Sequence, residues 1–250
     1  MICRLCLKDR KLADSHIIPE FIYKSMYDKN HRFLEMPDVD VGKVGYQQKG
    51  YREQLLCFGR DGCENRLNQY YEQYARKLFV DSLPPPESPN SKRLVFKSLK
   101  YGRFKLFILS VLWRASISSH PMFERINLGD VHEEKIRLLL LASDPGAPSA
   151  YPCAIVAIMN NGQHFKGLIP TPLCSRVEGH KFYGLVLDGF LFMVFVSGHG
   201  LPSMFEKMSL TNDGLLSLYP MEWRHMPFLC EIGNRVRNST QHLPDSFGIK

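Results

Sequence analysis

Four cysteines, set as two pairs within the first 63 residues of a 250-residue chain, constrain the fold more than any other feature. Cys3-x2-Cys6 is one pair, and Cys57-x5-Cys63 is a wider one whose loop contains Gly59 and Gly62. Zinc takes four thiolate or imidazole ligands in a tetrahedron, and two close pairs are a common way to supply them. The glycines let the wider loop fold back on itself. The first 80 residues include a long polar stretch and little apolar material, so a metal staple would supply what a small core cannot. Cys3, Cys6, Cys57 and Cys63 are therefore expected to hold a structural Zn2+, the alternative being four unlinked thiols. Seven cysteines without a secretion signal argue against a disulfide framework. Cys153, Cys174 and Cys230 read as buried thiols.

The chain divides by composition. Asp81 to Ser91 carries four prolines, which forbid helix and favour an extended linker. The expected plan is a zinc-binding module over 1–80, a linker over 81–91 and an α+β region over 92–250. Within the first part, Leu34 to Gln54 reads as an insertion or loose hairpin. Glu64 to Val80 reads as a helix with Leu67, Tyr70 or Tyr71, Tyr74 and Leu78 on its buried stripe, and Glu72 as an exposed partner of Arg76. Tyr101–Ser118 has the spacing of a buried helix, with Trp113-Arg114 contributing packing and one internal ion pair. A second helix is expected over Asp130–Ala142, opened by an Asp130/Glu133 capping box and ended by Pro145-Gly146. Short β-prone runs follow. Cys153–Met159 precedes the turn Asn160-Asn161-Gly162, and Asp188-Gly189 joins the apolar runs Phe182–Leu187 and Phe190–Val196 as a hairpin. The fold class expected is thus α+β: a zinc-stapled N-terminal module, then helices packed on an antiparallel sheet.

The arrangement of the first 80 residues resembles the zinc-bearing HNH endonucleases. The residues that carry the likeness are Cys3-x2-Cys6, then His16-Ile17-Ile18-Pro19, then Leu55-Leu56-Cys57 and Cys63-Glu64-Asn65 at a helix start. The resemblance implies a treble-clef, ββα-metal unit in which a strand histidine is general base for the water that attacks a phosphodiester, while one divalent cation stabilises the developing charge. His16 matches the base. Ser15 stands where the family often has a metal ligand, and Glu64 then Asn65 stand where it usually has His or Asn after the last cysteine. Glu64 and Asn65 are accordingly the candidates near a catalytic Mg2+ or Mn2+. The implied activity is DNA hydrolysis, with a role in bacterial defence against phage or mobile elements. The rival reading is a non-catalytic zinc module that binds nucleic acid or a partner protein.

A formal net charge of +7 agrees with a polyanionic partner, DNA in the first instance. Lys92, Arg93, Lys97, Lys100, Arg103 and Lys105, interleaved with Phe96, Tyr101 and Phe104, offer a phosphate-contacting face or simply a solvated helix shoulder. His199 has no partner in sequence. Leu106–Trp113 is too short to span a bilayer, and Asp188-Gly189 interrupts Phe182–Val196, so no membrane partner is expected. With no apolar leader, the chain reads as soluble and cytoplasmic. The 182–196 hairpin offers an edge for pairing between copies, and a homo-oligomer or a partner protein of a defence system is expected as well as DNA.

Overall fold

The computed structural model describes residues 1–35, 45–80, 83–86, 88, 92–97, 99–196, 201–208 and 210–239. Most of the expected linker (81, 82, 87 and 89–91) and His199 lie outside the described residues.

The N-terminal segment is built from two small strand pairs. Strands β1 (Ser15–His16), β2 (Phe33–Glu35), β3 (Gly45–Gln47) and β4 (Arg52–Glu53) pair antiparallel as β1 with β4 and β2 with β3. The expected loose hairpin is thus real at its base, 33–35 against 45–47. Cys63 begins a helix with three continuous parts: α1 (Cys63–Leu67), a π-helical turn (Asn68–Glu72) and α2 (Gln73–Val80). Leu67, Tyr71, Ala75 and Leu78 are buried along it, so Tyr71 rather than the exposed Tyr70 faces the core. The π turn adds a residue to the helical repeat, which carries the buried stripe from Leu67 to Tyr71 and Glu72 together.

Strand β5 (Leu94–Phe96) leads into α3 (Tyr101–Ile117), which is buried from Phe104 to Ala115, and α4 (Gly129–Ala142) packs against it. The expected capping box is absent. Leu128 is the N-cap and makes no side-chain cap, while Glu133 instead accepts a 2.6 Å bond from the Ser116 hydroxyl. At the other end Ser143, at φ 57°, turns the chain one residue after α4, ahead of Pro145-Gly146.

The sheet comprises β6 (Cys153–Asn160), β7 (Gln163–His164), β8 (Leu173–Val177), β9 (His180–Leu187), β10 (Phe190–Phe195), β11 (Leu216–Glu222) and β5. Its order is β5-β11-β6-β10-β9-β8, with β7 beside the end of β6. Both turns expected from sequence form, with Asn161 and Gly162 at φ 51° and 77° and Asp188 and Gly189 at φ 45° and 90°. The sheet is mixed rather than antiparallel, because β11 runs parallel to β6. β10 lies between β6 and β9, so the 182–196 hairpin is interior and β8 is the outer strand on that side. Its unbroken apolar runs follow from burial on both faces. One face, with Phe190 and Phe192, meets Phe79 at 5.6 and 6.1 Å between ring centroids, and Phe192 also meets Phe104 of α3. The other face, with Phe182 and Phe195, packs on Phe205 and on Leu229 of α5 (Pro227–Ser239).

One cluster of buried residues runs from Cys3 and Leu5 through Ile17, Leu67 and Leu78 to Phe107, Trp113, Phe192 and Leu218. The cysteine-bearing segment and the helices after the proline-rich stretch therefore share a core. Cross-links support the same join: Arg137 donates to the Leu5 carbonyl at 2.6 Å, and Glu53 accepts from both Ser118 and Ser119. Among the described residues no helix is long and apolar enough to cross a membrane.

A candidate metal centre and the histidine beside it

Two backbone turns bring the four cysteines together. In the first, Leu7 at φ 58° donates its amide to the Cys3 carbonyl, and the Cys3 amide donates to the Lys8 carbonyl. The chain then runs alongside the segment before Cys57, with Ala13 bonded to Leu56 and Phe58 to Lys11. In the second, the Gly62 amide closes on the Gly59 carbonyl at 2.9 Å. A Cβ at Gly62 would sit 2.3 Å from the Cys57 carbonyl oxygen, so only glycine lets this loop close.

The four Sγ atoms lie within 4.8 Å of one another. Zn–S bonds of about 2.3 Å would set tetrahedral sulfurs roughly 3.8 Å apart, and the Cys6–Cys57 separation is 4.0 Å. Backbone amides point at the sulfurs, Cys57 N to Cys3 Sγ at 3.3 Å and Cys63 N to Cys57 Sγ at 3.2 Å, the outer-shell support a thiolate centre requires. A hydrogen bond from the Cys63 thiol pulls the pKa of Cys3 down and pushes that of Cys63 up. Neighbouring thiolates repel, so a cation is what would allow all four to ionise. The cluster fits a metal ion such as zinc. Cys153 and Cys230 are half-buried elsewhere, and Cys174 is exposed on β8 rather than buried as expected.

His16 follows on β1. Its Nε2 is 3.0 Å from Glu20 Oε2, and its backbone carbonyl accepts a 2.6 Å bond from Arg114 Nη1. Glu20 also accepts from the Tyr27 hydroxyl at 2.5 Å and from Arg52 at 3.3 Å. Burial pushes the Glu20 carboxyl up, but these donors outweigh it and hold it below the usual range. Burial, with the Arg52 charge, pushes the His16 imidazole below its usual value. Ser15 is fully buried and accepts from the Leu56 amide at 3.1 Å, so it fastens β1 to the segment before Cys57.

Glu64, on the first turn of α1, has a buried carboxylate oxygen, Oε2, without a hydrogen-bond partner. Its charge is felt by both His16 and Glu72. One turn on, Asn68 faces Glu72, and with its amide nitrogen turned toward the carboxylate it donates to Glu72 at 2.7 Å. Glu72 is buried, not an exposed partner of Arg76. It pairs at 3.0 Å with Arg114, which is itself fully buried, while Arg76 stacks on Phe21. The ion pair expected of Arg114 is this one.

Asn65 faces elsewhere, because one residue turns a helix by about 100°. Its amide donates to the Arg60 carbonyl, and it lines a groove of about 870 Å³ with Arg60, Arg66, Tyr70, Tyr74 and Arg103. Arg103 lies over Tyr70 and Tyr74 at 5.1 and 4.7 Å, and Lys100 over Tyr74 at 4.7 Å. Lys100 and Arg103, two of the six basic residues read from sequence, thus join this surface, whereas Lys105 is buried.

The structure brings His16 into electrostatic reach of Glu64 and leaves Asn65 on another face. Sequence reading missed Glu20 and Arg114 as neighbours of His16, and Tyr27 and Arg52 as the donors that hold Glu20. Glu20 was accessible in principle, as an acid four residues after His16. Compared with known proteins, the chain matches no family model, no curated protein and no solved structure.

Proposed function

We propose that the chain is a metal-dependent, HNH-like nuclease that hydrolyses DNA phosphodiester bonds, with His16 as general base. The observation that carries this reading is the buried, unpartnered Glu64 oxygen on the helix turn that starts at Cys63, close enough to His16 to act on its charge. An unsatisfied buried carboxylate is costly unless a cation or proton meets it. Glu64 would hold a hard divalent ion, Mg2+ or Mn2+, with water and substrate phosphate oxygens completing the shell, and that ion would stabilise charge on the scissile phosphate.

The chain's own residues divide the remaining work. An ionised Glu20, accepting from Tyr27 and Arg52, also accepts from His16 Nε2–H and so fixes that tautomer. Nδ1 then carries the lone pair that takes a proton from water. A depressed imidazole pKa keeps the ring neutral, as a base must be. Arg114 anchors the His16 backbone through its carbonyl. The groove of Arg60, Arg66, Arg103 and two tyrosines supplies charge and ring faces suited to a nucleic-acid strand.

One observation favours the rival, a zinc module that binds nucleic acid without cutting it. Among the described residues the four cysteines are the sole group of three or more His, Cys, Asp or Glu ligands that converge. Plasmid nicking in Mg2+ or Mn2+ separates the two. Wild type should nick, and His16→Ala should lose roughly 10²–10⁴-fold. Equal activity in both, or none in either across DNA substrates and metals, sinks the catalytic reading, and retained DNA binding would then leave the rival.

A further inference from the structure

Lys105 sits in α3, an apolar helix buried from Phe104 to Ala115, and is only 5% exposed. Its Nζ donates to the Ala147 carbonyl at 2.7 Å and the Tyr101 hydroxyl at 3.3 Å. An ammonium has three hydrogens, so one is left over. Among the described residues no carboxylate lies within ion-pair distance of it; Asp144 acts only as a more distant charge. Taking such a charge out of water without a counter-ion costs several kcal/mol. Burial lowers its pKa to about 8, which still leaves the amine mostly charged at neutral pH.

Beside it lies a cavity of about 200 Å³. Tyr101, Lys105 and Ser149 give its wall polar groups, and Ile108, Ile155 and Leu201 make much of the rest apolar. That volume is smaller than the ~300–1,000 Å³ typical of drug-sized ligands, so the occupant is small. Glu206 also lines it, which weighs against a dianion such as phosphate.

We propose that this cavity is a binding site for a small organic monocarboxylate with a short apolar body, whose carboxylate accepts the spare Lys105 hydrogen and supplies the missing counter-charge. A buried cation facing an apolar pocket selects this class, since the headgroup is neutralised where the body loses contact with water. None of the residues that line it has a part in the nuclease reading, so the proposal stands whether or not the chain cuts DNA.

The test is calorimetric titration of the full chain with sodium benzoate, sodium hexanoate and the neutral isostere benzamide, at matched ionic strength. Benzoate should bind saturably and raise the melting temperature by a few degrees near saturation, with hexanoate as the aliphatic member of the class. Benzamide should bind at least tenfold more weakly than benzoate. Lys105→Met, checked for native circular dichroism and metal content, should lose at least tenfold in carboxylate affinity. The proposal is overturned if benzoate does not bind saturably, if benzamide binds as well as benzoate, or if folded Lys105→Met keeps wild-type affinity. The benzoate–benzamide comparison needs no variant, so it decides even if Lys105→Met does not fold.

Discussion

Arg114 ties the molecule together at a single side chain. It pairs with Glu72, bonds the His16 carbonyl and touches Ser110, all while fully buried. Removing one partner of a buried pair leaves an uncompensated charge, so Arg114→Met should cost about 3–5 kcal/mol in urea unfolding. Arg114→Met combined with Glu72→Met should cost much less, because no lone charge remains; equal losses would mean the pair is incidental. The histidines give a second prediction. Burial lowers the pKa of His16 and of His164. Each is neutral in the folded chain at a pH where the unfolded chain already binds a proton. Their contribution is therefore present above the ordinary value of about 6.5 and lost as pH falls through the lowered folded values. Stability should fall on acidification below pH ~6.5, and the slope should flatten in His16→Gln and His164→Gln; an unchanged slope in both would contradict this.

At the scale of elements, the turns hold the most information. Gly62 must approach the Cys57 carbonyl, so Gly62→Ala should destabilise by more than about 1 kcal/mol and release metal at lower chelator concentration. Unchanged metal retention would show that the loop has slack. Features of this local kind were legible in the sequence: the glycine-bearing cysteine loop, the Asp188-Gly189 hairpin, and a helix beginning at Tyr101 because apolar residues recur at its spacing. What was not legible depends on residues far apart. Glu72 looked like half of an i,i+4 surface pair because its real partner, Arg114, lies 42 residues away. Asp130 and Glu133 fit a capping box, but Ser116 claims Glu133. The parallel pairing of β11 with β6 leaves no mark in either strand's pattern, since pairing direction is set by the connection between them.

For the whole molecule, the cysteine cluster and the helical core stand or fall together. Cys3, Cys57 and Cys63 belong to the same buried cluster as Trp113 and Phe192, and Arg66 and Tyr71 of the helix that Cys63 starts bond the last carbonyls of α4. Metal removal by a chelator should therefore lower the melting temperature of the entire chain in one transition, followed by circular dichroism. A separate early loss confined to part of the signal would mean the N-terminal segment melts alone. The candidate base, Glu64 and the groove are all placed by the loop and helix that the four sulfurs anchor. The most direct measurement is the metal content of the purified, gel-filtered chain by elemental mass spectrometry. One zinc per chain, lost in Cys3→Ser and in Cys63→Ser, is what four converging sulfurs predict. Far less than one zinc per chain in wild type, or full zinc in both variants, would contradict it.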